Sequence, residues 1–84
     1  MTRYKFIVTE EFVRQYKKLK KTNKRLSDEF DQFLKHFDHS KGAVISNTGG
    51  ARKIRMKGSG RGKSGAYRVI YYLLIENKIF FLTI

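Results

Sequence analysis

The apolar positions of this chain follow two periods. Residues Arg3 to Val8 alternate, with Tyr4, Phe6 and Val8 on one side and Lys5 and Ile7 on the other, which predicts a short strand. From Thr9 the period lengthens. Phe12, Val13, Tyr16 and Leu19 recur at helical spacing and predict a helix from about Glu10 to Lys20. Thr9 stands at the N-cap position, and Glu10 and Glu11 fall in the first turn, where negative charge favours the helix dipole. Lys17, Lys18, Lys20 and Lys21 crowd the other end, where cations are favoured, and read as a solvated helix terminus. Thr22 and Asn23 break the pattern. A second helix is expected from about Lys24 to Phe37, with Leu26, Phe30, Phe33, Leu34 and Phe37 on one face. So short a connection implies an antiparallel helical hairpin, whose aromatic stripe reads as core.

The second half returns to short alternating segments. Ser40 to Gly42 is a turn, Ala43 to Ser46 a short edge strand and Asn47 to Gly50 a loop. From Ala51 to Lys57, Lys53, Arg55 and Lys57 face one way while Arg52, Ile54 and Met56 face the other. Gly58 to Gly65 is a glycine, serine and basic loop. Tyr67 to Ile75 is apolar on both sides, which predicts a strand with neighbours on both edges and a covering on each face. Glu76 and Asn77 form a two-residue hairpin turn, and Lys78 to Ile84 is the returning strand. The expected architecture is a single α+β domain over residues 1–84. It has two layers in the order β-α-α-β-β-β, with a helical hairpin on a mainly antiparallel sheet.

Charge adds a partner to this picture. The 84 residues carry a net charge of +12, and the chain has no cysteine and two histidines. Residues 1–38 hold ten basic and six acidic residues, whereas residues 39–84 hold nine basic and one acidic. Self-repulsion at this charge works against the compact state, so its retention points to a polyanion, most often nucleic acid. Disulfides and thiolate metal sites are excluded, and charged residues interrupt every apolar run, so no membrane span is expected. These features fit a cytoplasmic protein with no metal and no cofactor. His36 and His39 lie three apart at a frayed helix end, which reads as a polar terminus rather than an acid/base pair.

The excess charge concentrates in Thr48 to Leu74, which holds seven of the nineteen basic residues and no acidic one. Lys53 and Arg55 point to one face of their strand. If Tyr67, Val69 and Tyr71 face the helices, Arg68 joins Lys53 and Arg55 on the opposite face. Such a face can bind RNA, with Arg52, Lys57, Arg61 and Lys63 as docking charges and Tyr72 as a base-stacking ring. It could also cleave RNA. Attack of a ribose 2′-OH on the adjacent phosphorus needs an oriented nucleophile, stabilised phosphoryl oxygens and two proton transfers. Arg55 and Arg68 could stabilise charge, and Lys53 could act as base if neighbouring cations lower its pKa. No carboxylate lies in the stretch, which argues against two-metal chemistry. The glycine loop joins two strands rather than opening a helix, so it is not a nucleotide cradle. The residues alone leave binding and cleavage both open.

The pieces TGG-x-RKIR, GRGKSG and GAYRVIYY together resemble the signature of the RelE/HigB-like toxins of bacterial type II toxin–antitoxin systems. The resemblance covers roughly the second half of the chain, and the preceding strand and two helices fit the same layout. It implies a RelE-like fold and ribosome-dependent mRNA endonuclease (mRNA interferase) activity that inhibits translation. It further implies a cognate antitoxin, and contact with operator DNA only through the antitoxin complex. By position, Lys53 and Arg55 match the paired basic residues of the family's active strand, and Arg68 the arginine of its Gly-Tyr-Arg-like motif. Family members continue past the last strand with a tyrosine- or lysine/arginine-bearing segment and usually a further helix. This chain ends before them, so Ile70, Tyr72 and Leu74 are expected to be open to dimerisation or an antitoxin segment. A catalytically impaired module that binds RNA or antitoxin, and a ParE-like gyrase inhibitor on the same fold, are the alternatives.

Overall fold

The computed structural model describes residues 4–58 and 66–84. Its elements are strand β1 (Lys5–Val8), helices α1 (Glu10–Lys20) and α2 (Leu26–Lys35), and strands β2 (Ala43–Val44), β3 (Arg52–Lys57), β4 (Ala66–Leu73) and β5 (Lys78–Thr83). Thr9 caps α1 as its position predicts: its hydroxyl oxygen accepts from the Phe12 N–H at 3.1 Å. The same hydroxyl donates to the Leu82 carbonyl at 3.1 Å, which ties the start of α1 to β5.

Helix α2 is shorter than its apolar period. The Thr22 and Asn23 N–H groups both donate to the Leu19 carbonyl, and the Arg25 N–H donates to the Asn23 side chain at 3.1 Å. This local turn competes with helix and delays its start to Leu26. At the other end Phe37 leaves the helix but stays in the core, where its ring meets Tyr4, Phe6, Tyr71 and Phe81 within 5.9 Å between centroids.

The sheet order is β1-β5-β4-β3-β2. Strand β1 lies parallel to β5, and the other pairs are antiparallel. The helical hairpin carries the chain from β1 across the sheet to the far edge, and β2, β3 and β4 bring it back to lay β5 beside β1. Both helices cover one face of the sheet. Phe12 and Leu26 from the helices close with Met56, Val69, Tyr71, Ile79 and Phe81 from the strands, all essentially without solvent exposure. The predicted inward set Tyr67, Val69 and Tyr71 is therefore the core side of β4.

The other face of β4 departs from expectation. Among the described residues no element covers it: Arg68 and Leu74 are exposed, and Ile70 and Tyr72 are half-buried. The apolar character on both sides of this strand describes only its later part, because Arg68 stands on the outward side near its start. The register shifts between Ile70 and Tyr71, whose partners are Thr83 and Phe81. The extra residue on β5 lets Ile84 turn back and pack against the core.

Two turns fix the ends of β2 and β4. In the second, Glu76 and Asn77 take φ of 59° and 58°, the left-handed values expected of a tight hairpin turn. Asparagine tolerates this region and glutamate does not. Glu76→Gly is expected to raise stability by about 1 kcal/mol, as a higher urea midpoint with an unchanged slope. In the first, residues His39–Lys41 form a single 3-10 turn between α2 and β2. Buried Tyr71 holds it by donating its hydroxyl to the His39 carbonyl at 2.9 Å. Burial pushes this phenol above its ordinary pKa, so the proton needed for the bond is retained through neutral pH.

Candidate nucleic-acid interface

The face left open by the helices carries the predicted cations. In the β3–β4 register Arg55 lies directly opposite Arg68, Lys53 opposite Ile70 and Lys57 opposite Ala66. Lys53, Arg55 and Arg68 are all exposed. Like charges directly across a ladder repel, so the Arg55–Arg68 pair opposes the folding of its own sheet. Among the described residues no carboxylate pairs with Lys53, Arg55 or Arg68, whereas on α1 Arg14 pairs with Glu11.

A hollow of about 360 Å³ lies over these residues, lined by Lys41, Ala43, Lys53, Arg55, Tyr67 and Arg68. Lys41 is a member that sequence reasoning missed. It sits in the 3-10 turn, ten or more residues before the basic strand, and reaches the site because Ala43 pairs with Lys53. No motif marks it; only the β2–β3 register does.

A second like-charged pair lies at the far end of the same face, where Lys5 stands opposite Lys78. Between the two pairs runs an apolar strip from β1, β4 and β5, in which Phe80 is the cross-strand partner of both Ile7 and Tyr72. Six residues of strand separate Arg68 from Leu74, roughly 20 Å along the sheet. The face is thus an apolar, partly aromatic platform with cations at both ends, a combination of charge and ring surface that can seat single-stranded nucleic acid.

The remaining predicted residues fall in different places. Lys57 continues the basic side of β3 and is exposed. Arg52 lies on the helix side of that strand, away from Lys53 and Arg55, half-buried, and donates through Nη1 to the Gly42 carbonyl at 3.3 Å. Tyr72 is on the open face, and its hydroxyl donates to the Thr48 carbonyl at 2.6 Å. The bond holds the ring and anchors the loop before β3. Thr48 closes that loop, donating to the Ile45 carbonyl at 2.6 Å and accepting from the Ala51 N–H at 3.0 Å. Asn47, Gly49 and Gly50 take positive φ within it, so the NTGG run shapes the approach to β3. Arg61 and Lys63, with the rest of GRGKSG after Gly58, lie outside the described residues.

The histidines have other roles. The His39 N–H donates to the Tyr4 hydroxyl at 3.3 Å and its carbonyl accepts from Tyr71, so His39 holds the turn in place. His36 is exposed at the end of α2. Among the described residues no group of three or more His, Cys, Asp or Glu side chains could hold a metal ion.

No family model matches the sequence. Among solved structures, an arginine-to-alanine double mutant of the E. coli toxin RelE in the free state superposes with a TM-score of 0.57. The match covers 98% of this chain and 81% of that one, at 18% sequence identity. Two helices on one face of a mixed, five-stranded open sheet, superposing over nearly the whole chain, make this a RelE-like fold.

Proposed function

We propose that this chain is the toxin of a type II toxin–antitoxin pair and acts as an mRNA endonuclease at the ribosome, held in check by a cognate antitoxin. The observation that carries the reading is the Arg55–Arg68 pair: two exposed guanidinium groups face each other on a rigid sheet, beside Lys53, with no described carboxylate to neutralise them. A repulsive arrangement of this kind is relieved by a bound phosphate. The RelE-like fold and the sequence motifs point the same way.

In this reading the two arginines grip the non-bridging oxygens of the scissile phosphate. They stabilise the charge that grows there as the ribose 2′-oxygen attacks. The bond from 2′-oxygen to phosphorus forms, and the bond from phosphorus to the 5′-oxygen breaks. The products are a 2′,3′-cyclic phosphate and a free 5′-hydroxyl. Lys53 takes the proton from the 2′-hydroxyl and returns one to the leaving 5′-oxygen, Lys41 adds a further cation, and Tyr72 with Phe80 offers surface for the flanking bases.

The test is to add the purified chain to translating ribosomes and map mRNA ends by primer extension. Cuts within translated codons, with growth arrest relieved by the antitoxin encoded beside the gene, are the expected result. Growth arrest without RNA cuts would move the function to another target such as gyrase, and neither arrest nor cuts would remove the enzyme reading. RNA affinity is also expected to fall steeply with salt. Four phosphates neutralised by Lys41, Lys53, Arg55 and Arg68 give a slope of log K on log salt of about −3. A flat response would place binding elsewhere.

A further inference from the structure

Lys5 and Lys78 close the far end of the open face, on β1 and β5. Alternation fixes the side they take. The Phe6 ring packs on Phe37 and Phe81, and Ile79 and Phe81 are buried, so Lys5 and Lys78 lie on the side away from the helices. The two are cross-strand partners, where like charges repel. Among the described residues no carboxylate pairs with either, and Glu76, two residues before Lys78, is exposed in its turn. The sheet thus carries a second repulsive pair whose charges no described ion pair uses.

Its distance from the first pair follows from the ladder. The Leu74 N–H donates to the Lys78 carbonyl at 2.8 Å, so the lysines stand level with Leu74, about 20 Å along the sheet from Arg68. The strand order puts two strand spacings, about 10 Å, between the middle of this pair and the middle of the Arg55–Arg68 pair. The two pairs are therefore roughly 22 Å apart. The line between them crosses Tyr72 and Phe80, which are half-buried cross-strand partners on the same face. A span of this size suits about four nucleotides of extended strand, the short end of the site sizes of single-strand-binding surfaces.

We infer that Lys5 and Lys78 form a second phosphate subsite for single-stranded RNA, about four nucleotides from the phosphate held by Arg55 and Arg68. The inference rests on the reading that RNA lies on this face, and it adds the length and path of the strand. A phosphate seated between the two ammonium groups removes their repulsion. The intervening bases then lie over Tyr72 and Phe80, whose π-faces accept any base. An ammonium is a point charge without the planar fork of a guanidinium, so the subsite holds the backbone and reads no sequence. A duplex is the wrong occupant, because its bases are stacked on each other and cannot reach the rings.

The test measures, by fluorescence anisotropy, the affinity of the whole chain for uncleavable 2′-methoxy RNA strands from dinucleotide to octanucleotide. Affinity is expected to step up once the strand spans both pairs, at about five nucleotides. Lys5→Gln with Lys78→Gln should abolish the step, weaken the octanucleotide by about tenfold and leave the dinucleotide unchanged. The same variant should make the octanucleotide's slope of log K on log salt shallower by about 0.7, the loss of one phosphate contact. Its urea midpoint should hold or rise, because a like-charge pair is relieved. Lys5→Arg with Lys78→Arg should keep the step, and Arg68→Ala should weaken every length. The subsite is overturned, with the RNA reading intact, if Arg68→Ala weakens every strand while the glutamine variant keeps the step. It is also overturned if the glutamine variant weakens all lengths alike, or if an RNA duplex or a polyglutamate peptide depends on the two lysines as strongly as the single strand does. No binding of any strand, by the unaltered chain or by Arg68→Ala, would remove the RNA reading and the subsite together.

Discussion

Arg68→Ala is expected to lower mRNA cleavage by about 10²–10³-fold, the loss typical of removing one group that stabilises charge in the transition state. The same change should leave the protein no less stable. Arg68 is exposed, makes no described ion pair, and stands directly opposite Arg55. Its removal relieves a like-charge pair, and roughly 0.2–1 kcal/mol of added stability follows from cross-strand energetics. Activity falling while the urea midpoint holds or rises is the signature of a residue kept for a ligand rather than for the fold. Arg68→Lys separates charge from geometry. An ammonium keeps the charge but not the planar fork that grips two phosphoryl oxygens, so this variant should retain RNA binding and lose most of its turnover. Full toxicity in Arg68→Ala would exclude the proposed site and favour a target that needs no phosphate grip.

The sequence made this face legible because alternation on β3 is a local property. Lys53, Arg55 and Lys57 share a side whatever the strand pairs with, and one further assumption, that Tyr67, Val69 and Tyr71 face the helices, brings in Arg68. The burial of all three tyrosine and valine side chains meets that assumption. What alternation could not supply was anything set by register between distant segments. Lys41 enters the site through the Ala43–Lys53 pairing, and the Lys5–Lys78 pair exists because β1 docks parallel to β5. Neither contact leaves a trace in local pattern. Composition alone, without the alternation of β3, would mislead at Arg52. It belongs to the same basic run as Lys53, but it is turned to the helix side and spent on the Gly42 carbonyl. The start of α2 slipped for a third reason: Asn23 bonds to its own neighbourhood, and a side chain that caps a turn outweighs the apolar period that continues past it.

Gly42→Ala is expected to destabilise the protein by about 3 kcal/mol, through overpacking and the loss of one buried hydrogen bond. The backbone at Gly42 is ordinary, with φ of −83°, so its conformation would suit any residue. Space is the constraint: a Cβ there would lie 2.0 Å from the Tyr71 hydroxyl oxygen and 2.9 Å from the ring carbon that bears it. Tyr71 is fully buried and bonded to the His39 carbonyl, so the ring has no free direction in which to yield. Two comparisons isolate this cause. Tyr71→Phe in the Gly42→Ala background removes the nearer clashing atom, so the double variant should be more stable than the sum of the single changes predicts. Gly50→Ala meets no atom within 4 Å but sits at φ of 112°, and its smaller loss, about 1 kcal/mol, is one of backbone strain alone. The contrast reaches function because Gly42 leads directly into β2. If the clash pushes that strand off β3, Ala43 leaves Lys53 and Lys41 leaves the hollow over Arg55 and Arg68. Gly42→Ala should then weaken RNA binding even at temperatures where the chain remains folded, whereas Gly50→Ala, much closer in sequence to the basic strand, should spare Lys41.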